Sequence, residues 1–128
     1  GGIDYDYASS MVQTSDGGYA LAGTTASFGA GFEDFWLVKT DSFGNMDWNK
    51  AYGGTDYDYA CSVIQTSDGG YALAGETDSF GAGGADAWLV KTNESGDIPE
   101  FPSAIILPIL IILSLISAVF IKLKKKKQ

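Results

Sequence analysis

The sequence has no histidine, which removes the commonest general base and a common transition-metal ligand. Its one cysteine, Cys61, rules out a disulfide within the chain. Because Ser9 takes its place in the sister repeat described below, Cys61 reads as an inert small residue. No nucleophile stands beside a base, no loop has the pattern that cradles phosphate, and no metal-ligand cluster stands out. The Gly-rich piece 81–84 is not a dinucleotide fingerprint, since no helix is expected after it. Sequence reading therefore yields no catalytic residue, no cofactor-binding residue and no ground for calling the chain an enzyme. At Gly1 there is neither an initiator methionine nor a signal peptide, which points to a piece of a longer chain or a processed product.

Basic residues are also scarce, except at one end. Sixteen carboxylates face three lysines (Lys39, Lys50, Lys91) in residues 1–103, a formal charge of −13, while the other five lysines crowd into 122–128. An acidic body repels phosphate backbones, so nucleic acid is not an expected partner. Such a surface stays soluble and attracts cations or basic partners.

Between these two parts, residues 104–121 form an uninterrupted run of 18 without a charge, 15 of them apolar. As a helix rising 1.5 Å per residue the run would be roughly 27 Å long, close to the hydrocarbon thickness of a bilayer at ~30 Å. A buried core helix would show a polar face, and this run offers only Ser114 and Ser117. The sequence thus predicts one transmembrane helix, followed by a basic tail held in the cytoplasm. Residues 1–103 are then expected outside the plasma membrane. Just before the run stands Pro99-Glu100-Phe101-Pro102. A Pro-Glu-Phe motif, an apolar helix and a terminal lysine cluster together resemble the archaeal PEF-type C-terminal sorting signals. That resemblance covers roughly the last 30 residues. It implies an archaeal source and recognition by an archaeosortase-type transpeptidase, with the helix removed and the protein re-anchored at the cell surface. The other reading of 99–103 is a stalk stiffened by its prolines.

What the chain has in abundance is repetition. Residues 1–46 align without a gap with 53–98, and 32 of the 46 positions are identical. QTSDGGYALAG at 13–23 recurs at 65–75, SFGAG at 27–31 recurs at 79–83, and WLVKT at 36–40 recurs at 88–92. Each unit reads as short strands between turn signals, with strands expected at 8–14, 19–24, 35–40 and 47–52 in the first. The Asp-Gly pair at 16–17 is expected to supply the positive φ angles of a tight hairpin. In the second unit Ile98-Pro99-Glu100-Phe101-Pro102 replaces the fourth strand. Four antiparallel strands per ~50 residues is the unit of a β-propeller blade. The expected fold is therefore all-β: two blade-like repeats of an incomplete ring at 1–52 and 53–98, a stalk or sorting motif at 99–103, the helix at 104–121 and the tail at 122–128.

The stretch from Val38 through the Asp- and Gly-containing turn to Trp48 is similar to repeats of the quinoprotein-like propeller superfamily. The likeness spans residues 1–98 and is architectural. It implies that the recurring Trp packs between blades. No pyrroloquinoline-binding set is present, so the activity of that family does not follow.

Several positions have a functional and a plain reading side by side. Asp4 and Asp6, repeated as Asp56 and Asp58, precede the first strand of each unit. Carboxylates two residues apart can donate oxygens to calcium, with backbone carbonyls completing the shell. The plainer reading is that they are solvated loop residues at strand ends, and it stands ahead because no third ligand position is apparent. Trp36, Trp88, Tyr19 and Tyr71 read as packing residues before they read as an aromatic platform. Asn93 begins a glycosylation sequon in a turn expected outside the membrane.

These readings converge on a cell-surface binding or adhesion module, presenting loops to an extracellular protein, glycan or surface-layer partner. Two alternatives stand beside it. One is an exported propeller enzyme whose active residues lie upstream of Gly1, and the other is a structural surface-layer or stalk component.

Overall fold

The computed structural model describes residues 1–100. The expected membrane span at 104–121, the lysine tail at 122–128 and Phe101 of the sorting motif lie outside the described residues. Pro99 and Glu100 close the described part. Among the described residues no helix is long and apolar enough to cross a membrane.

Seven strands form: β1 Asp6–Gln13, β2 Tyr19–Thr25, β3 Asp34–Thr40, β4 Met46–Tyr52, β5 Asp58–Gln65, β6 Tyr71–Thr77 and β7 Asp86–Thr92. They make two antiparallel sheets in simple sequence order, β1-β2-β3-β4 and β5-β6-β7. The all-β expectation holds, with four strands in the first unit and three in the second. The first and third strands of each unit begin earlier than expected, at an Asp that fastens the adjoining loop.

Both units share one register, Leu21 opposite Val38 and Leu73 opposite Val90. Each first strand is irregular at one point, between Ala8 and Ser10 or between Ala60 and Ser62. The extra residue of such a bulge pairs with nothing across the sheet. This accounts for free exchange between Ser9 and Cys61, and Cys61 is exposed.

The turns differ from expectation in one respect. Gly17 and Gly69 have φ of 86° and 83°, but no non-glycine residue has positive φ, so Asp16 and Asp68 do not share the left-handed geometry. A type I′ hairpin turn, the one Asp-Gly favours, needs positive φ at both central residues. The chain instead turns over 14–18, with Thr14 N–H donating to Gly18 O and Gly17 N–H to Thr14 O, both 2.9 Å. Asp16 Oδ1 accepts from the Thr14 hydroxyl and from Gly18 N–H. Its side chain acts as a brace, and glycine alone takes the unusual backbone angle.

Alternation along the strands decides which side chains meet. One face of the first sheet carries Ala20, Ala22, Phe35, Leu37, Trp48 and Tyr52. It packs on the face of the second sheet that carries Val63, Tyr71, Leu73, Trp88 and Val90, and together these form the core. The Phe35 ring reaches Trp88, centroids 4.7 Å apart. It lies where a Cβ on Gly75 would come within 2.8 Å of it, so glycine there leaves room for the ring. Trp48 meets Tyr71 edge-on at 5.9 Å, and the buried Tyr52 hydroxyl donates to Gly96 O at 2.6 Å. Desolvation by burial, helped by the charge of Asp97, pushes the Tyr52 phenol well above its ordinary value. At the rim Lys50 pairs with Asp97 at 3.0 Å.

By the shared register, the face used by the first unit is not the face used by the second. The sheets stack head to tail.

Candidate functional site

The topology sorts the connections into two ends. Tight turns at 14–18, 41–45, 66–70 and 93–97 lie at one, and the longer segments 1–5, 26–33, 53–57 and 78–85 at the other.

At the long-loop end the paired aspartates take unequal roles. Asp6 Oδ2 accepts from Gly2 N–H at 2.7 Å and from the Ser27 hydroxyl at 2.9 Å, and its Oδ1 accepts from the Thr25 hydroxyl. Asp58 repeats the set with Gly54 N–H at 2.9 Å, the Ser79 hydroxyl at 2.8 Å and the Thr77 hydroxyl. Desolvation pushes the Asp6 carboxyl up, but the hydrogen bonds from Thr25, Gly2 and Ser27 together hold it below the usual carboxylate range. These residues fasten the entering strand to the next loop. Asp4 and Asp56 are exposed. Among the described residues no three His, Cys, Asp or Glu side chains converge as a metal-ligand group.

Sequence reading missed a buried carboxylate beside these. Asp34, at the head of β3, is 1% exposed, and a Cβ on Gly53 would run into both Asp34 Oδ1 and Asp58 Oδ2. Its Oδ2 accepts from Ala30 N–H at 3.1 Å and Gly31 N–H at 3.3 Å, while its buried Oδ1 has no partner. Burial, with the charge of Asp58 adding to it, pushes the Asp34 carboxyl up. The signal was available, since an Asp stands two positions before WLVKT in both units, at 34 and 86.

Asp34 yields a prediction with a definite sign. Its proton is held more tightly in the fold than in the unfolded chain, where an aspartate titrates near 3.9. Its ionisation therefore lowers stability as pH rises above about 4, and that penalty disappears in more acid solution. Asp34→Asn keeps an acceptor for Ala30 and Gly31 and turns an N–H toward the orphaned side. We expect it to stabilise the fold at pH 7 by about 0.5–1.5 kcal/mol, the usual net value of one hydrogen bond. The gain should shrink toward pH 4. Urea unfolding of both proteins across pH 4–7 measures it, and a loss of stability at pH 7 would contradict the assignment.

The same end brings aromatic rings together across the two units. Glu33 pairs with Tyr57 in a short parallel bridge, and Asp58 N–H donates to Glu33 O at 2.7 Å. Phe32 then stacks on Tyr57, centroids 5.2 Å apart, and Tyr57 on Tyr59 at 6.0 Å, each pair tilted by 14°. Phe32 is 62% exposed and Tyr57 41%. Partial burial and the Glu33 carboxylate push the Tyr59 phenol up to about 12, so it stays a neutral donor. Phe32 and Glu33 have no counterpart in the second unit, which has Gly84 and Ala85. A row of exposed rings beside a carboxylate offers apolar area and hydrogen bonding in one place.

The tight-turn end holds a cleft of about 410 Å³ between the units, lined among others by Asp16, Lys39, Asp47, Trp48, Tyr71 and Glu94. Its cation is already engaged. Lys39 Nζ lies 2.8 Å from Asp16 Oδ2 and 3.6 Å from Asp47, and donates to Thr40 O. Desolvation lowers the Lys39 pKa, but Asp16 outweighs it and the net shift is upward. Hydrogen bonding from Lys39 holds Asp16 well below the carboxylate range. Lys91 and Asp68 form the same pair at 2.8 Å in the second unit, which marks it as a standing part of the repeat.

Trp88 and Tyr71 lie on the packing face of the second sheet, while their counterparts Trp36 and Tyr19 lie on the outward face of the first, and none of the four is in the exposed stack. The Asn93 side-chain oxygen accepts from Ser95 and Asp97 N–H, both 2.9 Å, and so caps its turn. Asn93 itself is exposed. Comparison with known proteins gives no family: no family model matches the chain, and no curated protein matches it.

Proposed function

We propose that this chain is part of a membrane-anchored β-propeller repeat protein of the cell surface, and that it binds an extracellular partner through its long-loop end. The observation that carries the binding role is the stack of exposed Phe32 and Tyr57 on half-buried Tyr59. It bridges the two units, and its Phe32, with Glu33 beside it, breaks the repeat, while Tyr57 and Tyr59 repeat Tyr5 and Tyr7. Symmetry alone would not put Phe and Glu in one loop and Gly and Ala in the other. Aromatic area exposed at a loop is also unfavourable in water unless something covers it.

The placement outside a plasma membrane rests on the apolar run 104–121 and the lysines after it. Two stacked antiparallel sheets of 52-residue period support a propeller. Processing by an archaeosortase-type enzyme is part of the same reading through Pro99, Glu100 and Phe101. Calcium at Asp4, Asp6, Asp56 and Asp58 and a glycan on Asn93 are subordinate proposals.

The test uses the full chain in lipid nanodiscs against two probes, an oligosaccharide array and a purified surface-layer protein lattice. Phe32→Ala with Tyr57→Ala should weaken binding to one probe at least tenfold and leave the thermal midpoint unchanged. Binding that survives both substitutions, or that is absent from both probes, would overturn the proposed site.

A further inference from the structure

The first unit has a second apolar face, and the structure already contains the face that fits it. We infer that the outward face of the first sheet is a socket for another β-unit of the first unit's own kind, filled chiefly by a tryptophan at the position of Trp48.

A shallow hollow of about 280 Å³ on this face is lined by Met11, Tyr19, Leu21, Thr40 and Gly44. Advancing each by the 52-residue period gives Val63, Tyr71, Leu73, Thr92 and Gly96, four of the five unchanged. In the second unit that same place is occupied. Trp48 stands against Tyr71, and its ring lies where a Cβ on Gly96 would come within 2.7 Å of it. A Cβ on Gly44 would meet nothing within 4 Å. Gly23, Trp36 and Val38 likewise repeat as Gly75, Trp88 and Val90, the residues around the Phe35 ring and behind it. The hollow is thus the empty counterpart of a filled socket, and the occupant follows from what fills the copy. It is a sheet face bearing aromatics at the positions of Phe35, Trp48 and Tyr52.

A second copy of the chain does not offer that face. Its first unit has already used it internally, and its second unit presents a changed version. Buried Thr24 becomes exposed Glu76, Phe35 becomes Ala87, and among the described residues no fourth strand follows β7. Docking by that face would bury a carboxylate without a partner and insert no ring. Ile64 and Leu89 stay open there, 57% and 65% exposed. The two outward faces are therefore unlike: one receives, and the other carries a carboxylate where the plug has its ring.

The test adds a tandem copy of residues 1–52 directly ahead of Gly1, so that Tyr52 of the added unit joins Gly1 as it now joins Gly53. Met11→Cys in the original first unit, with Cys61→Ser, gives a single thiol in the hollow at a residue now 64% exposed. Maleimide labelling in one detergent should be at least tenfold slower in the extended chain than in the original. Trp48→Ala in the added unit should restore most of the rate, and Ile64→Cys should label equally in both lengths. Equal labelling of Cys at 11 in both lengths would overturn the inference. Labelling that slows with concentration in the original chain would overturn it differently, by making a second copy the occupant.

Discussion

Phe35→Ala should cost about 3–5 kcal/mol, the usual range for removing a fully buried aromatic ring. Phe35 has no exposed surface and stands at the centre of the contact between the sheets, against Trp88 and over Gly75. A Cβ on Gly75 would also strike the Tyr59 carbonyl of the neighbouring strand, so the backbone there is closely packed. The cavity should persist, and the second sheet, with only three strands, should loosen first. Guanidinium unfolding followed by tryptophan fluorescence measures the loss, with a lower midpoint and a first phase reporting Trp88. A loss below about 1 kcal/mol would mean that the sheets do not depend on this ring for their stability. The sister position supplies a natural control, since Ala87 is exposed and carries no ring.

Asp58→Ala should cost about 2–4 kcal/mol, and Asp6→Ala distinctly less. Both carboxylates accept the same three bonds, from a glycine N–H and two hydroxyls. They differ in surroundings. Asp58 is fully buried at the junction, beneath Gly53 and beside Asp34, while Asp6 stands at the open edge of the first sheet. Removing this acceptor from a buried site leaves Thr77 and Gly54 without water to replace it, a penalty of about 1–3 kcal/mol for each group left unsatisfied. At the open edge water takes over. Urea midpoints of the two variants decide the matter, and equal losses would show that burial is not what makes Asp58 costly to remove.

The sheets were legible because several independent signals agreed at each strand. WLVKT, YALAG and the Asp-Gly turns specify strand, small-residue strand and reversal, and the repeat doubles each statement. The packing partner of Trp48 was legible in kind, as a residue between units, though not as Tyr71. Asp34 was not legible as a buried charge. Its burial comes from the second unit closing over it at Gly53, a contact across the chain that no local pattern announces. The aromatic stack was missed for the same reason, since Phe32 and Tyr57 lie 25 positions apart and meet through the Glu33 bridge. Expecting positive φ at Asp16 as well as Gly17 erred on a local point, though the chain does reverse there. The dipeptide fits two turn geometries, and the hydroxyl of Thr14 favours the one in which only glycine takes positive φ.

The passage from β4 to β5 has a consequence for how such a chain grows. The edge strand of one sheet leads through a handful of residues into the first strand of the next, with no spacer between sheets. A segment of the first unit's kind therefore carries a plug on one side and, by the inference above, its matching receptacle on the other. A gene that gains or loses one such segment in frame encodes a longer or shorter array whose internal joints are of the kind seen between the two units. Only the two extremities must be specified separately. That division of labour places divergence on the plug face and beside it, at 24, 33 and 35 against 76, 85 and 87, while the receptacle face stays nearly constant.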